Sequence, residues 1–131
     1  MTKNDNIKKI ISIITNCMLD KKALDIRVVH VKGVTSLTDT LIICTSESDP
    51  QTKAIANHIK ECLNEKNIKA WHTEGYEHLN WVLIDYVNVV VNIFSKKARE
   101  YYDIERLWAD AKVEEIPVSY THLTLPTIYS V

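Results

Sequence analysis

Residues 81–94 read WVLIDYVNVVVNIF, two short apolar segments separated only by Val87 and Asn88. Short runs rich in β-branched and aromatic residues are typical of strands, and a two-residue connection is typical of a β-hairpin. Asn88 tolerates a positive φ angle in such a turn, whereas a β-branched residue such as Val87 does not. We therefore predict a hairpin of strands 81–86 and 89–94 with a strained turn.

The rest of the chain alternates between helical and strand-like patterns of hydrophobic residues. The predicted helices cover residues 4–20, 50–66, 96–102 and 104–111, and the predicted strands before the hairpin cover 23–31, 39–45 and 69–73. Helices interleaved with strands predict a single small α/β (α+β) domain, in which one mixed central sheet is flanked by helices.

Several positions mark the ends and the surroundings of these elements. Asp49 is suited to cap the second helix, with Pro50 in its first turn, and Asn67 is suited to end it. Ser95 is suited to cap the helix that follows the hairpin. The run at 39–45 is almost continuously apolar, which predicts a central strand buried on both faces of the sheet.

Composition limits the classes of function that are open to the chain. It has 131 residues, 46% of them hydrophobic and 25% charged, which is enough to bury a core without disulfides or a metal ion. A formal net charge of −1 argues against extensive binding to a phosphate backbone. The only glycines, Gly33 and Gly75, cannot form a Gly-rich phosphate loop. No apolar run approaches the length of a membrane span.

The cysteines and histidines do not form a metal-binding motif in the sequence. Cys17, Cys44 and Cys62 lie far apart within apolar patterns, which predicts reduced core thiols in a cytoplasmic protein. The histidines show no spacing typical of zinc ligands. We therefore expect no metal site and no cofactor.

The last residues differ in character from the rest of the chain. Residues 118–131 contain no Asp, Glu, Lys or Arg, and their peptide VSYTHLTLPT resembles the translation of a common transposase sequencing adapter. We predict that the genuine domain covers residues 1–117 and that 118–131 is a non-native tail, which is excluded from fold reasoning. The alternative is a genuine apolar C-terminal arm.

Polar residues at strand ends leave an enzymatic alternative open. Ser46 lies where a strand ends and a helix begins, a usual ligand position in open α/β sheets. Carboxylates on or beside strands, at Asp25, Asp39 and Asp85, could hold Mg²⁺ for nucleotidyl transfer. Their spacing does not bring them together, however, and turn or capping roles are the simpler interpretation.

The first hairpin strand carries the pattern that is most informative about function. Alternation places Trp81, Leu83 and Asp85 on one face of the sheet and Tyr86 on the other. An aspartate that shares a face with a tryptophan indicates that this face is not simply core. Since Trp, Tyr and Arg are the residue types enriched at interfaces, Arg99 in the next helix fits the same interpretation. The alternative is that these side chains pack helix against sheet.

The same residues carry a family resemblance. SLTD at 36–39, LIICTS at 41–46, WVLIDY at 81–86 and, above all, AREYYDIERLWADA at 98–111 resemble the Iojap-related ribosomal silencing factor (RsfS) family. The similarity spans nearly all of residues 7–111. It implies a nucleotidyltransferase-like α/β fold without the catalytic signature of that fold, and therefore a protein that is not an enzyme.

The resemblance also implies a function and a binding surface. Members are translation repressors that bind the large ribosomal subunit through ribosomal protein L-fourteen, block subunit joining and take part in large-subunit biogenesis. The resemblance also implies a homodimer when free. We expect this protein to be cytoplasmic, with no membrane partner and no specific nucleic acid beyond incidental contact with ribosomal RNA. The family's interface residues correspond to Trp81 and Tyr86, and we extend this prediction to Asp85, Asn88 and Arg99.

The chain departs from the family pattern at the hairpin. The family usually has Gly-Asp at the turn and a histidine in the next strand, where this chain has Val87, Asn88 and Asn92. The missing glycine agrees with the strain predicted for the turn.

Overall fold

The computed structural model of the protein describes residues 3–36, 38–102, 106 and 111–117. The elements are α1 (Lys3–Asp20), β1 (Leu24–His30), β2 (Thr40–Ser46), α2 (Asp49–Asn64), β3 (His72–Glu74), β4 (Trp81–Asp85), β5 (Val89–Ser95), α3 (Lys96–Tyr102) and β6 (Lys112–Glu115). The predicted order of elements is confirmed up to α3, and β6 is an additional strand. Apart from residues 106 and 111, the second C-terminal helix predicted at 104–111 lies outside the described residues, as does the tail at 118–131.

The strands form one six-stranded sheet in the order β3-β4-β5-β2-β1-β6. β2 and β5 run parallel, and every other neighbouring pair is antiparallel. The predicted mixed sheet is therefore confirmed. β2 lies near the centre, and six of its seven residues are buried, as its apolar run indicated.

The two faces of the sheet carry separate cores. On the first face, α1 and α2 pack on the sheet through a large cluster that includes Ile14, Met18, Ile55, Ile84 and Val91. On the second face, a smaller cluster joins α3 to the sheet, and its buried members are Val29, Val31, Ile43, Phe94 and Ala98. The molecule thus has three layers, and the second face carries much less apolar cover from the described helices than the first.

The ends of α2 differ from the sequence-based expectation by one or two residues. Ser48, not Asp49, is the N-cap, because the backbone N–H of Gln51 donates to Ser48 Oγ over 3.2 Å. Asp49 instead starts the first turn, where its charge favours the positive end of the helix dipole. The C-cap is Glu65, and Asn67 follows with a φ of 61°.

The positions at which β3 and α3 begin are also relevant to the candidate site. β3 begins only at His72 and is shorter than the strand predicted at 69–73. At the start of α3 the backbone N–H of Ala98 donates to Ser95 Oγ over 3.1 Å. This confirms Ser95 as the cap that connects β5 directly to α3.

Candidate functional site

Trp81 begins β4 and lies half-buried on the second face of the sheet. Its indole Nε1–H donates to Asn92 Oδ1 over 2.9 Å. The indole also packs on Phe94, with ring centroids 4.9 Å apart and planes tilted by 31°. The hydrogen bond and the ring contact hold the side chain in one orientation while part of it stays accessible, as expected of an aromatic interface anchor.

Around Trp81 the second face is only half covered. The registers β4–β5 and β5–β2 place Leu83 beside Asn92, and Val90 between Asp85 and Leu41. We call the half-buried residues of this region the open sheet face; its members are Leu41, Trp81, Leu83, Asp85 and Val90. An apolar patch with a carboxylate at its edge is typical of a protein-binding surface.

Asp85 connects the open sheet face to the hairpin turn. Its Oδ1 accepts the backbone N–H of Val87 over 2.7 Å, so the carboxylate helps to form the turn. Val87 has a φ of 74° and is 54% exposed. The strain predicted for this β-branched residue is therefore confirmed. Thr38 donates to the carbonyl of Val87 over 3.0 Å, and the N–H of Asn88 donates to the carbonyl of Tyr86 over 2.9 Å.

Tyr86 points away from the open sheet face. It packs against the core beneath α1 and α2 and lines an open groove of about 410 Å³ together with Lys60, Lys69 and Thr73. Burial raises the pKa of its hydroxyl to about 12, and the neighbouring Tyr76 adds to this shift. The alternation predicted from the sequence holds, so Trp81 and Tyr86 do not belong to one continuous patch.

Arg99 lies half-buried in α3 and holds this helix on the sheet. Its Nη1 donates to Thr45 Oγ1 over 2.8 Å and to the carbonyl of Asp25 over 3.2 Å. Thr45 pairs with Phe94, which pairs with Trp81, so Arg99 and Trp81 lie toward the same end of the sheet. Asp85 and Asn88 lie toward the other end, roughly 13 Å along the strand from Trp81.

Trp71 is a further candidate that its strand-like surroundings at 69–73 do not single out. Its side chain is 74% exposed, and its backbone N–H donates to the carbonyl of Asp85 over 2.7 Å. An exposed tryptophan whose backbone is bonded to Asp85 adds apolar area near the hairpin turn. The only signal in the sequence is a tryptophan among the polar neighbours Lys69 and His72.

The residues that the enzymatic alternative requires do not lie close together in the structure. Ser46 is 1% exposed, and its hydroxyl is engaged by Ser48 and Thr52 within the β2–α2 turn. The strand directions place Ser46 and Asp25 at one end of the sheet and Asp39 and Asp85 at the other, roughly 20 Å apart. Within the described residues these carboxylates form no cluster of three potential metal ligands.

The structure does bring two of the cysteines together. Cys17 and Cys62 lie beside His58, and one potential ligand atom from each residue lies within 4.8 Å of the others. The expected reduced thiols are present: Cys17 and Cys44 are buried in the core, and Cys62 packs against it half-buried. The linear spacing does not reveal the contact between Cys17 of α1 and Cys62 of α2. No described helix has the length and apolar character needed to cross a bilayer.

Comparisons with known proteins agree with the resemblance. The family model RsfS, "Ribosomal silencing factor during starvation", matches residues 4–126. This range extends past Pro117, and the boundary of the domain at 117 stays a prediction. The chain is 38% identical over 109 residues to the ribosomal silencing factor RsfS of Halalkalibacterium halodurans, covering 83% of this chain and 93% of that one. It is 38% identical over 111 residues to the RsfS of Bacillus subtilis, covering 85% and 94%.

Solved structures and a plant relative extend this comparison. A crystal structure of a Chromobacterium violaceum protein matches with a TM-score of 0.76 at 36% identity, covering 79% of this chain and 86% of that one. The chloroplast protein Iojap of Zea mays is 32% identical over 96 residues, covering 73% of this chain and 42% of that one. These relatives are named as silencing factors or as Iojap, not as enzymes. This chain belongs to the RsfS family of ribosomal silencing factors.

Proposed function

We propose that this protein represses translation by binding the large ribosomal subunit through ribosomal protein L-fourteen, where it sterically blocks joining of the small subunit. The same contact gives it a role in large-subunit biogenesis. The proposal starts from the family, whose members are named for ribosomal silencing. The mechanism requires a folded domain with a protein-binding surface and no catalytic step.

The open sheet face is the observation that carries the proposal. Leu83 and Val90 offer apolar area that the described helices leave half-covered, and Trp81 is already fixed by Asn92 and Phe94. A pre-ordered aromatic anchor loses little conformational entropy on binding, which favours affinity. The near-neutral net charge of −1 suits a protein partner better than ribosomal RNA.

The other predicted residues support this surface in different ways. Asp85 and Asn88 shape the turn at its edge, and Arg99 holds α3 beside it. Tyr86 faces the α1/α2 side, so we assign it a supporting role under the hairpin turn. We further propose that the free protein is a homodimer, as the family resemblance implies, and that it is cytoplasmic.

The test measures subunit joining by sedimentation with purified large and small subunits. The wild-type protein is expected to co-sediment with the large subunit and to lower the yield of joined ribosomes. Leu83→Glu places a charge in the middle of the open sheet face, and we expect it to weaken binding by at least about 10-fold. Trp81→Ala is expected to act in the same direction, with an added loss of stability from the contact with Phe94.

A matched control comes from the opposite side of the sheet. Asn57 is exposed in α2, which packs on the first face of the sheet, so Asn57→Glu introduces the same charge away from the proposed surface. We expect this variant to bind and to repress joining like wild type. Equal activity of Leu83→Glu and wild type would contradict the binding surface. A wild-type protein that neither binds the large subunit nor reduces joining would contradict the function, and nucleotide-dependent turnover would favour the enzymatic alternative.

A further inference from the structure

Three side chains with metal-binding chemistry meet where α1 crosses α2. Cys17 comes from α1, and His58 and Cys62 come from consecutive turns of α2. Their potential ligand atoms lie within 4.8 Å of one another, and Cys62 Sγ is 4.0 Å from both Nδ1 and Nε2 of His58. A tetrahedral zinc ion with bonds of about 2.0–2.3 Å holds its ligand atoms about 3.5–3.8 Å apart. A small shift of the side chains would therefore bring all three within bonding distance of one ion.

His58 is oriented as a metal ligand by a neighbouring carboxylate. Its Nε2 lies 3.2 Å from Asp20 Oδ2 at the end of α1. When the imidazole donates this Nε2–H to the carboxylate, Nδ1 is left as the unprotonated ring nitrogen, 4.0 Å from Cys62 Sγ. Carboxylate–histidine pairs of this kind fix the tautomer and the ring orientation of histidines that bind zinc.

The thiols of this cluster need a nearby positive charge in order to ionise. Cys17 is 2% exposed, and burial raises the pKa of its thiol to about 12, with Cys62 and Asp20 contributing in the same direction. Ionisation of these acidic groups is mutually unfavourable unless a positive charge lies between them. A divalent ion supplies this charge and stabilises both thiolates.

We propose that Cys17, His58 and Cys62 form a binding site for a thiophilic metal ion, with Zn²⁺ as the expected occupant. Two sulfur ligands and one imidazole are a donor set that selects zinc over magnesium or calcium. Asp20 orients His58 from outside the ligand set. His58 and Cys62 are only half-buried, which leaves a path for the ion and room for water as a fourth ligand.

The site would fasten the two helices that cover the first face of the sheet. Because its ligands come from both α1 and α2, the complete site exists only in the folded protein. An ion that binds the native state more tightly than the unfolded state raises the melting temperature. This inference does not depend on the proposed ribosomal function, since it rests on the opposite face of the sheet.

The experiment titrates Co²⁺ and then Zn²⁺ into the reduced, metal-free full-length protein. Cobalt on two thiolates is expected to give a near-ultraviolet charge-transfer absorption and the visible bands of a tetrahedral ion, at one ion per chain. Zinc is expected to displace the cobalt and to raise the melting temperature. Cys62→Ser should remove most of the charge-transfer absorption, and Asp20→Asn should weaken zinc binding by about 10-fold.

Two matched variants test whether the cluster is responsible. Cys44→Ala removes a buried thiol outside the cluster, and His78→Gln removes an exposed histidine; both should bind cobalt like wild type. The far-ultraviolet circular dichroism of each variant checks that it is folded. If wild type shows no charge-transfer absorption, or if folded Cys62→Ser shows the wild-type spectrum and affinity, the proposal is wrong.

Discussion

Gly75 shows how one residue sets the geometry beside Trp81. It has a φ of 91°, and a Cβ atom added there would lie 2.0 Å from the backbone carbonyl oxygen of Trp81. Gly33 has a similar φ of 88°, but an added Cβ would meet nothing within 4 Å. Substitutions at the two glycines can therefore distinguish the free-energy cost of a positive φ angle from the cost of a backbone clash.

We predict that Gly75→Ala destabilises the fold far more than Gly33→Ala. At Gly33 the alanine adds only the penalty of the left-handed conformation, about 1 kcal/mol. At Gly75 the backbone around Trp81 must also move, and we expect a total loss above about 3 kcal/mol. Urea unfolding of both variants measures the difference, and equal losses would show that the chain relaxes at Gly75 without cost.

The hairpin between β4 and β5 is the element whose sequence fits its geometry least well. Val87 has a φ of 74° in the turn between these two strands. A β-branched residue in this region costs roughly 1–2 kcal/mol, whereas glycine costs about 0.5–1 kcal/mol of extra chain entropy in the unfolded state. The strain of valine exceeds the entropic cost of glycine.

We therefore predict that Val87→Gly stabilises the protein by about 0.5–1 kcal/mol. Val34→Gly is the matched control, since Val34 is 46% exposed in a turn and is not among the residues with a positive φ. That substitution should be neutral or destabilising. Thermal and urea unfolding of both variants provides the measurement, and a loss of stability in Val87→Gly would show that the side chain makes a contact worth more than the strain.

Most elements could be predicted from the sequence because their signals are local. The alternation over 81–86, the apolar run of β2 and the cap at Ser95 each depend on neighbouring residues, and each is confirmed. β6 could not be predicted, since all four of its residues are exposed and, among the strands that the structure describes, it pairs with β1 alone. A strand with no buried side chain has no hydrophobic periodicity to reveal it.

At the scale of the whole molecule, the sequence does not reveal which helices and strands contact one another. Alternation correctly placed Trp81 and Tyr86 on opposite faces. Only the fold shows that α1 and α2 cover one face, while the described residues leave part of the other face half-covered. Cys17 lies beside His58 and Cys62 in the fold, although Cys17 and His58 are 41 positions apart in the chain. No local sequence motif therefore predicts this cluster.

The native molecule as a whole holds several protons more tightly than the unfolded chain. The pKa of Tyr86 is raised from 10.0 to about 12, and those of Cys17 and Cys44 from 9.0 to about 12, each mainly by burial. Above pH 9 the unfolded chain releases these protons first, so it binds fewer protons than the native state. The free energy of unfolding must then fall as the pH rises.

We predict that Tyr86→Phe reduces this alkaline loss between pH 10 and 12, because the variant has no hydroxyl to ionise at that position. Urea unfolding at a series of pH values measures the slope of stability against pH for both proteins. The cysteines should leave a residual slope in the variant. An identical slope in wild type and variant would show that Tyr86 is as accessible in the native state as in the unfolded chain.

The two outermost strands protect this sheet from edge-to-edge aggregation. β3 has only three residues, two of them His72 and Glu74, and β6 carries Lys112, Glu114 and Glu115 among its four. Short edge strands with charged side chains discourage the addition of strands from another chain. Without β6, the long edge of β1 would be a template for such addition. Both edges of the described sheet therefore disfavour open-ended growth, which directs ordered association of copies toward the faces and helices.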